Sequence, residues 1–167
     1  MKKAWKRALP LVVMGTVMIP FSVKASEGEE NLLAFMNDTL EDGSLTYEFE
    51  EVGITLPADW KGKVRISIKD NEAIFYHNAS REKWIEEYGC DGGKLFTLGY
   101  SVNKDFSNYD EISYIGFSEE TMMNYFLILP TDLQGYMETS IMDEFHQLSS
   151  GVEFVKKNAH MLEAGTE

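Results

Sequence analysis

With one cysteine in 167 residues, Cys90, the chain has no internal disulfide, so its stability rests on packing and hydrogen bonding. Histidine is nearly as sparse, at three, and no histidine or cysteine pair stands at metal-ligand spacing. Cations are few, 15 Lys and Arg against 28 Asp and Glu. That balance repels phosphate backbones and anionic bilayer surfaces, which excludes nucleic acid as a partner. Three motifs are also missing: the Gly-x-Ser-x-Gly turn of many hydrolases, a phosphate-cradling glycine loop with its lysine, and a calcium loop of alternating oxygens. No catalytic signature remains and no cofactor is expected. With 28 acids, some carboxylate pair always falls at a glycosidase-like separation, so such pairs carry no signal.

What the sequence does have begins at the amino terminus. Lys2, Lys3, Lys6 and Arg7 precede an apolar stretch from Leu9 to Val23, broken by Pro10 and Pro20. That stretch falls short of the roughly 20 apolar residues needed to span a bilayer core. Val23-Lys24-Ala25 then offers a signal peptidase its small side chains, so residues 1–25 are expected to be a signal peptide cleaved before Ser26. No cysteine near the junction can take a lipid, and no second apolar span follows. The expected location is secreted or extracytoplasmic, with no membrane association after cleavage. The remainder keeps 10 cations against all 28 acids, about −18, a charge that also serves plain solubility.

Residues 26–44 are expected to form a flexible lead-in in which Leu32, Leu33, Met36 and Leu40 follow helical spacing. From Leu45 the period becomes alternating. Strands are expected around Tyr47 and Phe49, and at Ile54 and Leu56 up to Pro57, with Trp60 folding back as a core plug. Val64, Ile66 and Ile68 alternate with polar residues, Asp70-Asn71 turns, and 73–77 returns as the partner strand of a hairpin. Ser80 is positioned to cap a helix running to about Glu86, and Gly89 ends it. Further strands are expected at 94–102, 114–117 and 125–129. A helix capped by Thr131 or Asp132 then carries the stripe Leu133, Met137, Ile141, Phe145 and Leu148; Ser149-Ser150-Gly151 is expected to break it, leaving a second helix over 152–162. The fold class is therefore α+β: an antiparallel sheet of five or six strands with flanking helices, a single domain over 45–162 with a tail at 163–167.

The run Gly53-Ile54-Thr55-Leu56-Pro57-Ala58-Asp59-Trp60, followed by a strand, Phe75-Tyr76-His77 and a short helix, resembles a group of uncharacterised secreted proteins of Gram-positive bacteria. It is also loosely similar to PsbP-like envelope domains, which often open with an apolar-Leu-Pro-x-x-Trp piece. The resemblance implies a sheet with flanking helices and carries no catalytic residues onto this chain.

Cys90 with His77 and a carboxylate such as Asp91 are the only candidates for thiol chemistry; Cys90 in a turn reads more simply as a small apolar residue or a site of dimerisation. Asp143 and His146, three apart on a helix, are candidate metal ligands, against the plainer reading of a solvated face. Trp60, Tyr76, Trp84 and Tyr100 are candidate binding aromatics, against core filling. Asn37-Asp38-Thr39 and Asn78-Ala79-Ser80 match the glycosylation acceptor pattern. The expectation is a non-enzymatic exported module that binds an envelope or extracellular component, with oligomeric state open. The alternatives are an enzyme using Cys90 or His77 and a structural homo-oligomer.

Overall fold

A computed structural model describes residues 30–32, 38–103 and 109–163. The signal-like stretch 1–25 lies outside the described residues. The hairpin read from alternation is present: β5 (Val64–Lys69) pairs with β6 (Glu72–His77) from Val64 opposite His77 to Lys69 opposite Glu72. Its turn places Asp70 at a φ of 53°, a left-handed conformation that Asp tolerates better than most side chains. The short β1 (Glu30–Leu32) adds to the far edge of β5, while β7 (Lys94–Ser101) lies beside β6. The hairpin of β8 (Ile112–Phe117) and β9 (Asn124–Ile128) completes an antiparallel sheet of six strands in the order β1-β5-β6-β7-β9-β8.

A second antiparallel sheet has the order β10-β4-β3-β2, built from β2 (Asp38–Thr39), β3 (Leu45–Phe49), β4 (Val52–Leu56) and β10 (His160–Met161). Between Asn78–Tyr88 runs α1, and between Thr139–Asn158 runs α2. The fold class is α+β as expected, with the strands shared between two sheets. The core is one cluster in which Phe75 and Phe96 stack at 4.2 Å and α2 contributes Phe145, Leu148, Val152 and Val155. No helix among the described residues is long and apolar enough to cross a membrane.

Four local expectations are corrected. Within the stretch read as helical at 31–40, residues 31–32 and 38–39 are strand and Leu40 lies in no regular element, because the open edges of β5 and β3 offer backbone partners. Residues 33–37, including Leu33 and Met36, lie outside the described residues. Ser80 does not cap α1; His77 holds that position, and the serine hydroxyl serves a tertiary network instead. The stripe beginning at Leu133 does not start a helix, because the backbone before α2 is spent on tertiary bonds. The Gln134 carbonyl accepts the Gly93 N–H at 2.7 Å, and the Tyr136 N–H donates to Ser80 Oγ at 3.1 Å. With those groups used elsewhere the helical ladder begins only at Thr139, with Glu138 at the capping position and no side-chain cap from Thr131 or Asp132.

The fourth correction concerns Gly151, which does not break the helix: α2 is continuous through Ser149-Ser150-Gly151. Trp60 explains the glycine. After Pro57 a 3-10 turn (Ala58–Trp60) drives the indole into the core, where it is 1 % exposed and lies directly on α2. A Cβ on Gly151 would stand 3.0 Å from Trp60 Nε1, so the glycine permits the approach rather than ending the helix.

Candidate functional site

Of the aromatics singled out as binding candidates, Trp60 and Tyr76 are buried, and the other two are half-buried. Trp60 is a core plug. Tyr76 lies under the Arg81 guanidinium, 4.5 Å from the ring centroid, and Arg81 Nε donates to Asp91 Oδ1 at 2.8 Å. Tyr100 packs on Tyr125 and Phe49, with centroids at 5.5 and 6.2 Å. These three belong to packing.

Trp84 differs. Its indole N–H donates to the Gln134 carbonyl at 3.1 Å, and its ring lies so close over the 91–93 turn that a Cβ on Gly92 would fall 2.3 Å from it. Tyr88, one turn on, meets the indole at 4.9 Å. A second tie joins α1 to the same loop: the Tyr136 hydroxyl donates to the Glu87 carboxylate. That bond holds the Glu87 carboxyl below its usual range and pushes the Tyr136 phenol up to about 12. The loop before α2 is thereby fastened to α1, and these two segments carry four large apolar side chains that are exposed. Ile85 is 48 %, Tyr88 57 %, Leu133 58 % and Met137 75 % exposed.

Around this ledge the carboxylates outnumber the cations. Glu86, Glu87 and Glu138 all raise the proton affinity of Lys83, foremost through its 2.8 Å bond with Glu86. Three acids around one lysine leave a local charge of −2. Beside the ledge, Gln134 donates to Asp132 Oδ1 at 2.6 Å and lines a cleft of about 230 Å³ with Glu72, Lys94, Thr97, Ile128 and Pro130. That volume is below the roughly 300–1,000 Å³ of sites that enclose a small-molecule ligand.

His77 and Cys90 are not brought together as a thiol pair. His77 is fully buried, with Nδ1 2.9 Å from Ser80 Oγ and Nε2 2.9 Å from Glu144 Oε2. Facing a carboxylate, Nε2 carries the hydrogen and donates, while Nδ1 is committed to the Ser80 hydroxyl, whose oxygen accepts the Tyr136 N–H. Ser80, His77 and Glu144 have the atom types of an acyl-transfer triad, but Ser80 is wholly buried and no acyl group reaches its hydroxyl. The arrangement is a clamp between β6, α1 and α2. The sequence pairing of His77 with Cys90 missed it, since Glu144 lies 67 residues away with no spacing motif to announce it.

Cys90 is exposed, not the buried small residue its composition favours, and is expected to react stoichiometrically with iodoacetamide in the folded protein, scored as a single mass increment. A thiol that reacts only after denaturation would contradict that exposure. Asp143 and His146 are both exposed on α2, and no three His, Cys, Asp or Glu converge among the described residues. The Asn78 acceptor pattern is engaged in the fold: Asn78 Nδ2 donates to the Gly62 carbonyl at 3.2 Å, and its Ser80 is buried. The chain matches no family model, and no curated protein or solved structure matches it.

Proposed function

We propose that the chain is an exported, non-enzymatic accessory module that holds an envelope or extracellular component against the ledge of α1 and the loop before α2. The observation that carries this reading is the exposure of four large apolar side chains on two tied segments, Ile85 and Tyr88 on α1 and Leu133 and Met137 on the loop fastened to it by the Trp84 and Tyr136 bonds. Export is supported by the cationic start and short proline-broken apolar stretch of residues 1–25. The committed ring nitrogens of His77 and the burial of Ser80 count against the enzymatic alternative.

The test is partition between buffer and washed cell-envelope material from the producing cells. The wild-type chain is expected to sediment with the envelope, and the double variant Ile85→Asp/Tyr88→Asp to lose about tenfold in retention, in line with the loss of central apolar anchors. Ile85 is 48 % and Tyr88 57 % exposed, so the variant's far-ultraviolet circular dichroism should match wild type, with a thermal midpoint lowered only by the lost Tyr88–Trp84 ring contact. Equal retention of a folded variant would overturn the assignment of this face.

A further inference from the structure

β8 ends its sheet, with β9 on one side only. The other outermost strands among the described residues, β1, β2 and β10, are two or three residues long, and β1 and β2 each carry an acid. β8 runs for six residues, Ile112-Ser113-Tyr114-Ile115-Gly116-Phe117, and lacks the charges and proline that usually guard an exposed edge against a further strand. Outside its ladder with β9, the only backbone bond it makes among the described residues runs from the Ile112 N–H to the Tyr109 carbonyl.

A bulge between Tyr114 and Gly116 sets what this edge presents. Ile112, Tyr114 and Phe117 stand opposite Ile128, Phe126 and Asn124, which alternate along β9 and therefore share one face of the sheet. In an unbulged strand Tyr114 and Phe117, three apart, would point to opposite faces. Here both lie on one, 56 % and 42 % exposed. Gly116, opposite Tyr125, belongs to the other face, where Met161 packs so closely that a Cβ would fall 2.4 Å from it.

Acids bracket the strand. Asp110 and Glu111 precede it, and Glu119 and Glu120 follow in a turn held by Ser118, whose Oγ accepts the Glu120 and Thr121 N–H groups at 3.2 and 3.1 Å. None of the four carboxylates is ion-paired among the described residues. We infer that the outer edge of β8 takes up an extended segment of a partner protein as a seventh strand of the sheet. Main-chain hydrogen bonds join it, its apolar side chains pack beside Ile112, Tyr114 and Phe117, and Lys or Arg at its two ends meet the acidic pairs. This surface is independent of α1 and the loop tied to it. Charge selects this occupant over a second copy: antiparallel pairing of two β8 strands would set Asp110 and Glu111 of one copy beside Glu119 and Glu120 of the other at both ends, and like charges across an interface oppose association.

The experiment titrates the full chain with a fluorescently labelled peptide, Lys-Lys-Thr-Val-Thr-Val-Thr-Lys-Lys, and with two versions of it N-methylated on the Val or on the Thr amides. An added strand pairs through one alternate set of amides, so the parent peptide is expected to bind and at least one methylated version to bind about tenfold more weakly. Tyr114→Lys puts a guarding charge on the edge at an exposed position and is expected to weaken binding about tenfold with circular dichroism unchanged. Glu119→Gln/Glu120→Gln is expected to weaken it severalfold and flatten its dependence on ionic strength. No binding by the full chain, binding of both methylated peptides equal to the parent, or unchanged binding by either folded variant overturns the inference. Light scattering is expected to show no dimer held through this edge; a dimer that Tyr114→Lys dissolves would give the edge to a second copy and overturn the inference as well.

Discussion

Replacing Trp60 by alanine is expected to destabilise the fold by about 3–5 kcal/mol, the range for emptying an aromatic site in a core. The indole is 1 % exposed and sits where the 3-10 turn, α2 and Phe96 converge, 6.2 Å from the Phe96 ring. Neither sheet can collapse onto the vacated space without moving the helix. The measurement is the urea midpoint, which should fall sharply at an unchanged slope if the native state keeps its compactness. Gly151 supplies the sharper half of the test. In the wild-type background Gly151→Ala pushes a methyl to 3.0 Å from Trp60 Nε1, and that crowding opposes the roughly 1 kcal/mol that alanine gains over glycine inside a helix. In the Trp60→Ala background the crowding vanishes and the same substitution should stabilise. A double-mutant cycle showing no coupling between the two positions would remove Trp60 as the reason for the glycine.

The two sites were unequally legible in the sequence. The hairpin of β5 and β6 could be read because Val64, Ile66 and Ile68 face a core while polar residues alternate with them, a local period that agrees here with the tertiary packing. The fold class followed from such local periods, and Trp60 as a plug followed from the proline before it. The start of α2 could not be read, since Leu133 and Met137 satisfy helical spacing yet are exposed. What overrode the period was long-range: backbone groups near Gln134 and Tyr136 bond to Gly93 and Ser80, on other elements. Those same bonds accompany the outward exposure of Leu133 and Met137, so the misread stripe and the candidate site share one cause. Trp84 was the one binding candidate to fall on these tied segments, and only the fold shows Ile85 beside it in sequence facing solvent.

The clamp of His77 makes the last and most pH-specific demand. His77→Ala should cost about 2–4 kcal/mol near neutral pH, combining a cavity at a fully buried ring with the loss of partners for Ser80 and Glu144. A cavity alone would predict the same loss, so the proof lies with Glu144. Its carboxyl is held below the ordinary value of 4.5, first by the bond from His77 and then by Lys63, whose Nζ lies 3.3 Å from Oε1. A carboxyl whose pKa is lower folded than unfolded adds stability above the unfolded value and loses it as pH falls through the folded one. Glu144→Gln keeps an acceptor for the imidazole but carries no charge. The stability gap between wild type and Glu144→Gln should therefore be constant above about pH 5 and close progressively below 4.5, as the wild-type carboxyl takes up its proton. Glu144 is partly exposed, so solvent screening keeps the gap modest, and denaturant midpoints across the acid range are needed to resolve it. A gap that stays constant down to acid unfolding would mean that the charge of Glu144 contributes nothing to the clamp, leaving its hydrogen bond to His77 as a neutral contact that fixes α2 against β6 by geometry alone.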